Sequence, residues 1–529
     1  MKYILGKNRE QTFIFPVSVD ETVSKDNDVR LIDLFVDGLN IGDFGFRVDF
    51  GENGRPAYHP ADLLKLYIYG YMNKIRSSRD LEKECKRNIE VIWLLKSLQP
   101  DHNTISNFRR DNSNSIREVF QSTVKIATYF DLIGKALLAG DGTKLRAQNS
   151  KKNNYNHKKI ERHLEYIENK LTEYNKSLSE EDCDKPEAIH KEISKQQARK
   201  EKYNQLENQL QETGQEQIST SDTDSRQMII RNNITEVAYN VQVVTDSKYC
   251  MPIDYQLTNN NDSKAMSNMV ERAIKVCKTS DFTILFDKGY HTGSEIKKAQ
   301  DKKVNLLVAV PDVASNAPDK SYNISNFIYD KSQDFYICPE QQKLITNGRW
   351  YDKNRGDNRE IIRVKQYKTK ACKNCPSIEK CTTSKKNGRV LERSEYAENI
   401  ERNKQNVEQN QHLYKRRQAI VEHPFGTLKR QWGFNYIITK KGMDRASSDV
   451  GFMLTAYNLR RIFNIIGFER FKKYMEVLLI DFMMIIRFLR LQNMNFNKPN
   501  FGNKLLSEYF YLSLNRLIFS QKLKQIAGF

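Results

Sequence analysis

The chain has 529 residues, enough for about three or four domains and a sizeable buried core. Lysine and arginine number 86 against 66 acidic residues, a formal net charge of +20. With 29% charged and 39% apolar residues the composition is globular but polar, which excludes a chain disordered throughout and favours a polyanionic partner. The most apolar run, Leu478 to Leu491, is interrupted by Asp481, Arg487 and Arg490 and is too short to span a bilayer, so no membrane partner is expected. The first nine residues hold no apolar core of a signal peptide, and a cytoplasmic setting is expected. Eight cysteines in this length do not make a disulfide scaffold; in a reducing compartment, clustered ones point to metal.

Residues 1 to about 55 carry no clear pattern. From Tyr58 to about Ile116 the pattern is helical, with Pro60 opening a run that holds Leu63, Leu64, Leu66, Tyr67 and Tyr69. Ser77-Ser78 before Arg79-Asp80-Leu81-Glu82 reads as an N-cap, and a further helix ends at Pro100. Asp101 to Arg110 then forms a short capped helix with hydroxyl, amide and arginine side chains on its early turns. The segment 58–116 reads as a helix-turn-helix-like unit or as a plain helical bundle, and the cationic surplus tips the reading toward DNA. On that reading residues 1–130 are an N-terminal helical DNA-binding domain. Arg109 and Arg110 are then the candidates for DNA contact, and Thr104 and Asn107 for base reading.

Lys135 to Leu145 is an apolar run ending at an acid between glycines, so a buried strand is expected to deliver Asp141 at its end. Residues 157–215 change character: Ile160, Leu164, Ile167, Leu171, Tyr174 and Leu178 form a helical seam that Pro186 interrupts, and Ile189, Ile193, Tyr203, Leu206 and Leu210 form a second arm. This is a charged antiparallel helical hairpin inserted in a β-containing domain, a spacer or dimer arm without chemistry. Val237 to Thr245 and Tyr249 to Leu257 read as a β-hairpin. A helix at Met266 to Val276, a strand Phe282 to Phe286 ending at Asp287, a helix from about Gly293 and a strand at Val304 to Val310 make a βαβ-like unit. Residues 321–395 hold Cys338, Cys372, Cys375 and Cys381. Glu398 to Leu428 reads as helix, with Glu422 inside it and Pro424 set to kink it. A further helix is expected at Ala446 to Ile466, and residues 467–529 form a helical, basic tail.

Three acids stand out by position. Asp141 and Asp287 end apolar strands, and Glu422 lies in a helix rich in cations: Lys415, Arg416, Arg417, Lys429 and Arg430. Any one alone reads as a turn former or a surface acid. Together they can converge at one sheet edge, where carboxylates repel and need a divalent cation. Hard Mg²⁺ or Mn²⁺ suits such oxygens, and two ions about 4 Å apart can serve phosphoryl transfer. His291 and His423 lie beside these segments and read as structural or DNA-contact residues.

Several segments in this order resemble bacterial insertion-sequence transposases of the DDE class. They are Pro100 to Arg109, Gly140-Asp141-Gly142-Thr143-Lys144, Asp222-Thr223-Asp224-Ser225-Arg226 with Tyr239-Asn240-Val241-Gln242, Phe286-Asp287-Lys288-Gly289-Tyr290, and Val421 to Lys429 with Gln431-Trp432-Gly433-Phe434. The resemblance spans roughly residues 20–465. It implies an α/β fold: an RNase H-like mixed sheet flanked by helices over residues 131–466, carrying the helical hairpin and a small Cys-rich insertion. It implies that Asp141, Asp287 and Glu422 hold catalytic Mg²⁺ or Mn²⁺ and that Lys429 contacts DNA phosphate. The implied activity is nicking of double-stranded DNA at transposon ends and transfer of the freed 3′-hydroxyl to target DNA. A homodimer on DNA in a bacterial, nucleoid-associated cytoplasm is the implied setting. A domesticated or inactive DNA-binding relative, and a metal-dependent nuclease without strand transfer, are the alternatives. One spacing departs from the family pattern of Tyr, two residues, Arg, three residues, Glu, six residues, Lys. Tyr414 and Arg417 keep their gap and Glu422 and Lys429 keep theirs, but four residues separate Arg417 from Glu422, which leaves the role of Arg417 open.

Cys372-Lys373-Asn374-Cys375 has the spacing of half a zinc knuckle, and Cys381 follows after five residues. None of the eight histidines falls in the segment, so a local fourth ligand is Cys338. The expectation is one structural Zn²⁺ that folds 321–395, as in the cysteine-rich insertion of many such transposases.

Overall fold

The computed structural model describes residues 18–48, 56–179, 186–231, 234–311, 317–354, 361–384 and 388–477. Among these residues six α-helices precede the first strand: α1 (Asp28–Asp37), α2 (Pro60–Met72), α3 (Ser78–Arg87), α4 (Ile89–Leu94), α5 (His102–Asp111) and α6 (Ser113–Tyr129). Their starts follow local rules. Pro60 opens α2; Ser77 accepts from the Asp80 amide at α3; Asp101 accepts from the Asn103 and Thr104 amides at α5.

The main sheet holds β1 (Leu137–Arg146), and the chain then leaves it for an excursion. There β2 (Asn154–Tyr155) and β3 (Ile218–Ser219) pair at the base of a helical hairpin, α7 (His157–Ser179) and α8 (Pro186–Thr213). Ile160, Ile167, Tyr203, Leu206 and Leu210 give the hairpin a core of its own, as the seam in the sequence requires. The chain re-enters the sheet through β4 (Arg226–Arg231), β5 (Ile234–Asp246) and β6 (Met251–Thr258). It crosses by α9 (Met266–Cys277) to β7 (Thr283–Phe286), and by α10 (Gly293–Gln300) to β8 (Asn305–Val308). Long β5 runs antiparallel to β1 along one edge and to β4 and then β6 along the other; β7 and β8 continue parallel to β1.

An insertion follows: β9 (Ile328–Asp330), β10 (Phe335–Ile337), β11 (Lys343–Lys353), β12 (Ile362–Lys368), the short α11 (Ile378–Cys381) and β13 (Leu391–Ser394). The strands form a second, wholly antiparallel sheet in the order β13-β12-β11-β10-β9. Phe327, Tyr336, Leu344, Tyr367 and Leu391 pack as its core. The segment, expected to be folded by zinc, thus has an apolar centre of its own, built from widely spaced aromatic and leucine residues, with Cys338 and Cys381 packed against it.

The chain returns through α12 (Ala397–Gln409), α13 (Gln411–Tyr414) and α14 (Arg417–Gly426) to a π-helical turn at Thr427–Gln431 and then α15 (Met443–Ile466). The single helix expected over Glu398 to Leu428 is thus three. Pro424 lies inside α14, and just beyond it the bonding widens to π, with the Trp432 amide on the Thr427 carbonyl. Buried Asn403 of α12 closes the sheet edge, accepting from the Val308 amide (2.9 Å) and donating to its carbonyl (2.8 Å).

Helix α15 is the hub. It packs on α2, α5, α6 and β6, and its Val450, Phe452, Met453, Leu454, Leu459 and Ile462 are all buried. At roughly 1.5–3 kcal/mol for each large apolar side chain, this helix carries a major share of the core energy. Asp222 and Asp224 accept from the Gly442 and Met443 amides at its start (3.0 and 2.9 Å), which gives the Asp-Thr-Asp-Ser-Arg segment a capping role. The N-terminal helices therefore share one core with the sheet. Residues 468–477 are helical and dock Tyr474 on Tyr129; the rest of the 467–529 tail lies outside the described residues. No helix among the described residues is long and apolar enough to cross a membrane.

Candidate active site

Strand periodicity decides which side chains can meet. On β1, Leu137 and Ala139 face the layer of α12–α14, together with Leu285, Leu307, Ile420 and Val421. Asp141 continues that alternation, and Asp287, two residues past Leu285, keeps it just beyond the end of β7. Asp141 is not at a strand end as expected. It sits mid-strand opposite Val243, because β1 runs on to Arg146.

The two aspartates meet at one guanidinium. Arg417, in the first turn of α14, places Nη1 3.6 Å from Asp141 Oδ2 and Nη2 4.0 Å from Asp287 Oδ2. Burial pushes the Asp141 carboxyl up to about 6; Arg417 opposes this and Asp287 adds to it. Asp287 also accepts from the Gly289 amide at 2.8 Å, which fixes the turn after β7. The Tyr414 hydroxyl donates to the Phe286 carbonyl at 3.2 Å, seating α13 beside the same turn. Arg417 thus faces the aspartates, while Gln418, at the family's usual arginine spacing, donates to Glu422 at 2.9 Å. Glu422 is exposed on α14, and no described contact brings it to Asp141 or Asp287.

Lys429 reaches β1 from the π turn. Its Nζ donates to Thr143 Oγ1 (2.9 Å) and to the Lys144 carbonyl (3.3 Å), two residues past Asp141 and on its face. The widened turn keeps Lys429 over the sheet despite Pro424. His423 pairs with the Tyr457 hydroxyl at 2.7 Å, and burial lowers the affinity of both His423 and His291 for a proton.

Behind Asp141, on the opposite sheet face, lies a polar layer that sequence reasoning missed. Asp262 accepts from Gln242 (2.7 Å), Asn240 (2.8 Å) and Lys144 (3.0 Å), while Tyr290 donates to Gln242. Burial pushes the Asp262 carboxyl up, but Asn240, Lys144 and Gln242 together hold it below the usual range. Gly142 makes room: a Cβ there would stand 2.5 Å from Asp262 Oδ1. The available signal was Asn240 and Gln242 alternating with apolar residues on a strand buried on both faces.

Four residues expected on a DNA-reading helix lie on α5, and they separate. Arg109 is 5% exposed; its Nη1 donates to Tyr71 (3.0 Å) and to the Arg76 carbonyl (2.9 Å), and the group lies over the Tyr67 ring. Its expected DNA contact is corrected: a guanidinium bonded inside the core has no surface to offer. The Thr104 hydroxyl is spent on Asp101 (2.8 Å), Arg110 is exposed and paired with Asp111, and Asn107 is exposed.

Cys338, Cys372, Cys375 and Cys381 line one small cavity, with Arg389 at its wall. Burial pushes the Cys381 thiol up, Arg389 opposes this, and the other three sulfurs add to it. Among the described residues no group of three or more His, Cys, Asp or Glu stands in an arrangement that could hold a metal ion, at the cysteines or at the acids.

Residues 17–111 match the family described as Transposase domain (DUF772), and residues 337–463 match the family described as Transposase DDE domain. The first match ends at the last residue of α5; the second contains Glu422, Lys429 and the four cysteines but does not reach β1 or β7. No curated protein matches the chain. Among solved structures the chain is similar to a piggyBac transposase in a synaptic complex with hairpin DNA, at 12% identity and a TM-score of 0.30, over 91% of this chain and 84% of that one. The chain thus resembles transposases in two separate segments, the second of them in a DDE domain.

Proposed function

We propose that the protein cleaves double-stranded DNA at transposon ends and transfers the freed 3′-hydroxyl to target DNA by metal-dependent phosphoryl transfer. The observation that carries this reading is the meeting of Asp141 and Asp287 at Arg417, from two parallel strands onto one sheet face. The antiparallel set β6-β5-β1 continued by parallel β7 and β8, with helices on both faces, supports an RNase H-like core.

The donor chemistry, though not a ready three-acid arrangement, suits a hard divalent cation, since Mg²⁺ is often held by one or two carboxylates and several waters. Two carboxylates are held close enough for one to be pushed up by the other, and a cation already sits between them. Asp141 and Asp287 would hold Mg²⁺ or Mn²⁺, and Glu422, the one acid of α14, is the third candidate. When bound, such ions activate an attacking hydroxyl and offset charge on the leaving oxygen. Lys429, fixed by Thr143, meets a phosphate next to the scissile bond. The exposed line of Asn103, Asn107 and Arg110 on α5 reads the transposon end, one turn apart at each step. The α7–α8 hairpin is the candidate arm toward a second copy on DNA.

The test uses the full chain and a labelled duplex ending in the inverted repeats that flank its gene. Asp141→Asn, Asp287→Asn and Glu422→Gln should each abolish nicking in Mg²⁺ while end binding by mobility shift stays nearly intact. Normal nicking by any one removes that residue from the site. Nicking without joining of 3′-hydroxyl ends to a target plasmid would favour a nuclease; specific binding with no nicking in Mg²⁺ or Mn²⁺ would favour a DNA-binding relative.

A further inference from the structure

Arg417 is held in an unusual way. Its side chain is 16% exposed, yet both contacts to the aspartates, 3.6 and 4.0 Å, are longer than hydrogen bonds. Nη1 is buried with no hydrogen-bond partner. A structural Arg–carboxylate pair closes to short bidentate bonds; this one spans two carboxylates and closes on neither. Its position allows movement. Lys415 and Arg416 break the helix between α13 and α14, and the first turn of α14 has no side-chain cap. The Tyr414 hydroxyl on the Phe286 carbonyl pins the residue before the break, so a shift of Arg417 need not carry α13 with it.

We propose that Arg417 is the built-in counter-cation of the aspartate pair: it keeps Asp141 and Asp287 together while no divalent ion is bound, and it competes with that ion for them. The inference rests on the metal-binding reading above. A guanidinium stays charged throughout the working pH range, so it cannot be silenced by losing a proton as a lysine could. An ion on the same oxygens would stand within a few ångströms of a fixed positive charge, and two like charges there repel. Binding therefore requires Arg417 to yield its place. No short bond to either aspartate is broken when it leaves, although the Tyr414 hydroxyl also interacts with its guanidinium.

The test is Mn²⁺ binding by the full chain without DNA, read from the electron paramagnetic resonance signal of free Mn²⁺. Melting temperatures in chelator and in Mn²⁺ accompany it. Arg417→Gln should bind Mn²⁺ about tenfold tighter than wild type, the order expected when one charge near a partly exposed site is removed. It should melt lower than wild type in chelator, where the aspartates lose their partner, and the gap should close in Mn²⁺. Asp141→Asn should bind Mn²⁺ at least tenfold more weakly than wild type. A variant that folds in neither condition is replaced by Arg417→Lys, whose shorter reach predicts a smaller, about threefold, tightening. Equal or weaker Mn²⁺ binding by the folded Arg417 variant, with Asp141→Asn still impaired, overturns the counter-cation and leaves the metal site standing. Equal Mn²⁺ binding by all variants overturns both.

Discussion

At the scale of single residues, the site carries a cost that its pH dependence should reveal. The Asp141 carboxyl is pushed up to about 6, so the folded chain binds its proton more tightly than the unfolded chain does. The stabilisation belongs to the protonated form; it is present below about pH 4 and is lost as pH rises through about 6. Without divalent ions the charged form should cost about 2–3 kcal/mol at neutral pH. Asp141→Asn should therefore melt a few degrees higher than wild type in chelator at pH 7.5 and at nearly the same temperature at pH 4. Calorimetry checks this; a gap that does not change with pH would sink the account of Asp141. The polar layer on the opposite face makes a second prediction. Gly142→Ala places a Cβ 2.5 Å from Asp262 Oδ1 and 2.8 Å from Gln242 Nε2, so this hydrogen-bonded layer or the strand that carries Asp141 must shift. Overpacking of this kind costs typically about 1–3 kcal/mol. Nicking should fall more steeply than stability, because a displaced Asp141 no longer meets Asp287 as before. A variant as active as wild type would show that the layer has slack.

At the scale of elements, periodic signals were legible and compensated ones were not. The strands around Asp141 and Asp287, the hairpin at 157–215 and the buried helix after Ala446 follow from runs of apolar residues at fixed spacing. The break between α13 and α14 was hidden, because Lys415 and Arg416 are good helix formers and only the packing of Tyr414 on β7 reveals the change of axis. Arg109 was misread for a related reason: an arginine two residues after an exposed asparagine looks solvated until Tyr67, Tyr71 and Arg76 are seen around it. The second sheet was missed because its core is five residues spread over 65 positions, Phe327 to Leu391. That core changes the zinc experiment. If the four thiols take up Zn²⁺, metal analysis should find about one zinc per chain, lost in Cys372→Ser. The near-ultraviolet signal of the tyrosines at Tyr336 and Tyr367 should survive the loss, since Cys372 lies outside the core they share, against which only Cys338 and Cys381 of the four pack. No zinc in protein purified without chelator removes the metal from the cavity, and collapse of the tyrosine signal in Cys372→Ser would restore its folding role.

At the scale of the whole molecule, the joint between the N-terminal helices and α15 decides how DNA reading can be tested. Asp449 of α15 is fully buried; it accepts from Arg76 Nη2 (2.6 Å), from the Tyr71 hydroxyl and from the Ile438 amide (2.8 Å). Arg76 also donates to the Tyr436 carbonyl at 2.7 Å and lies over the Phe434 ring, in the segment that follows Lys429. Arg109 completes the cluster through Tyr71. The helices that carry the proposed DNA-reading surface and the segment that carries Lys429 thus close on one buried acid. Removing one partner of a buried ion pair costs about 3–5 kcal/mol, because the remaining charge stays behind without compensation. A fragment of residues 1–130 would keep Arg76 and Arg109, lose Asp449, and expose the faces of α2 and α6 that α15 covers. It should fail to fold, so its failure to bind DNA would say nothing about α5. The informative comparison uses the full chain. Asn107→Ala and Arg110→Ala lie on the exposed face of α5 and should leave the melting temperature within about a degree, as surface changes do. Asn107→Ala should lower the preference for transposon-end over random duplex. Arg110→Ala should weaken both and flatten the fall of affinity with salt, since a lost phosphate contact releases fewer counterions. Asp449→Asn should instead lower the melting temperature by several degrees and weaken end binding and nicking together. Unchanged end preference in Asn107→Ala and Arg110→Ala, with the fold intact, would move the reading surface off α5.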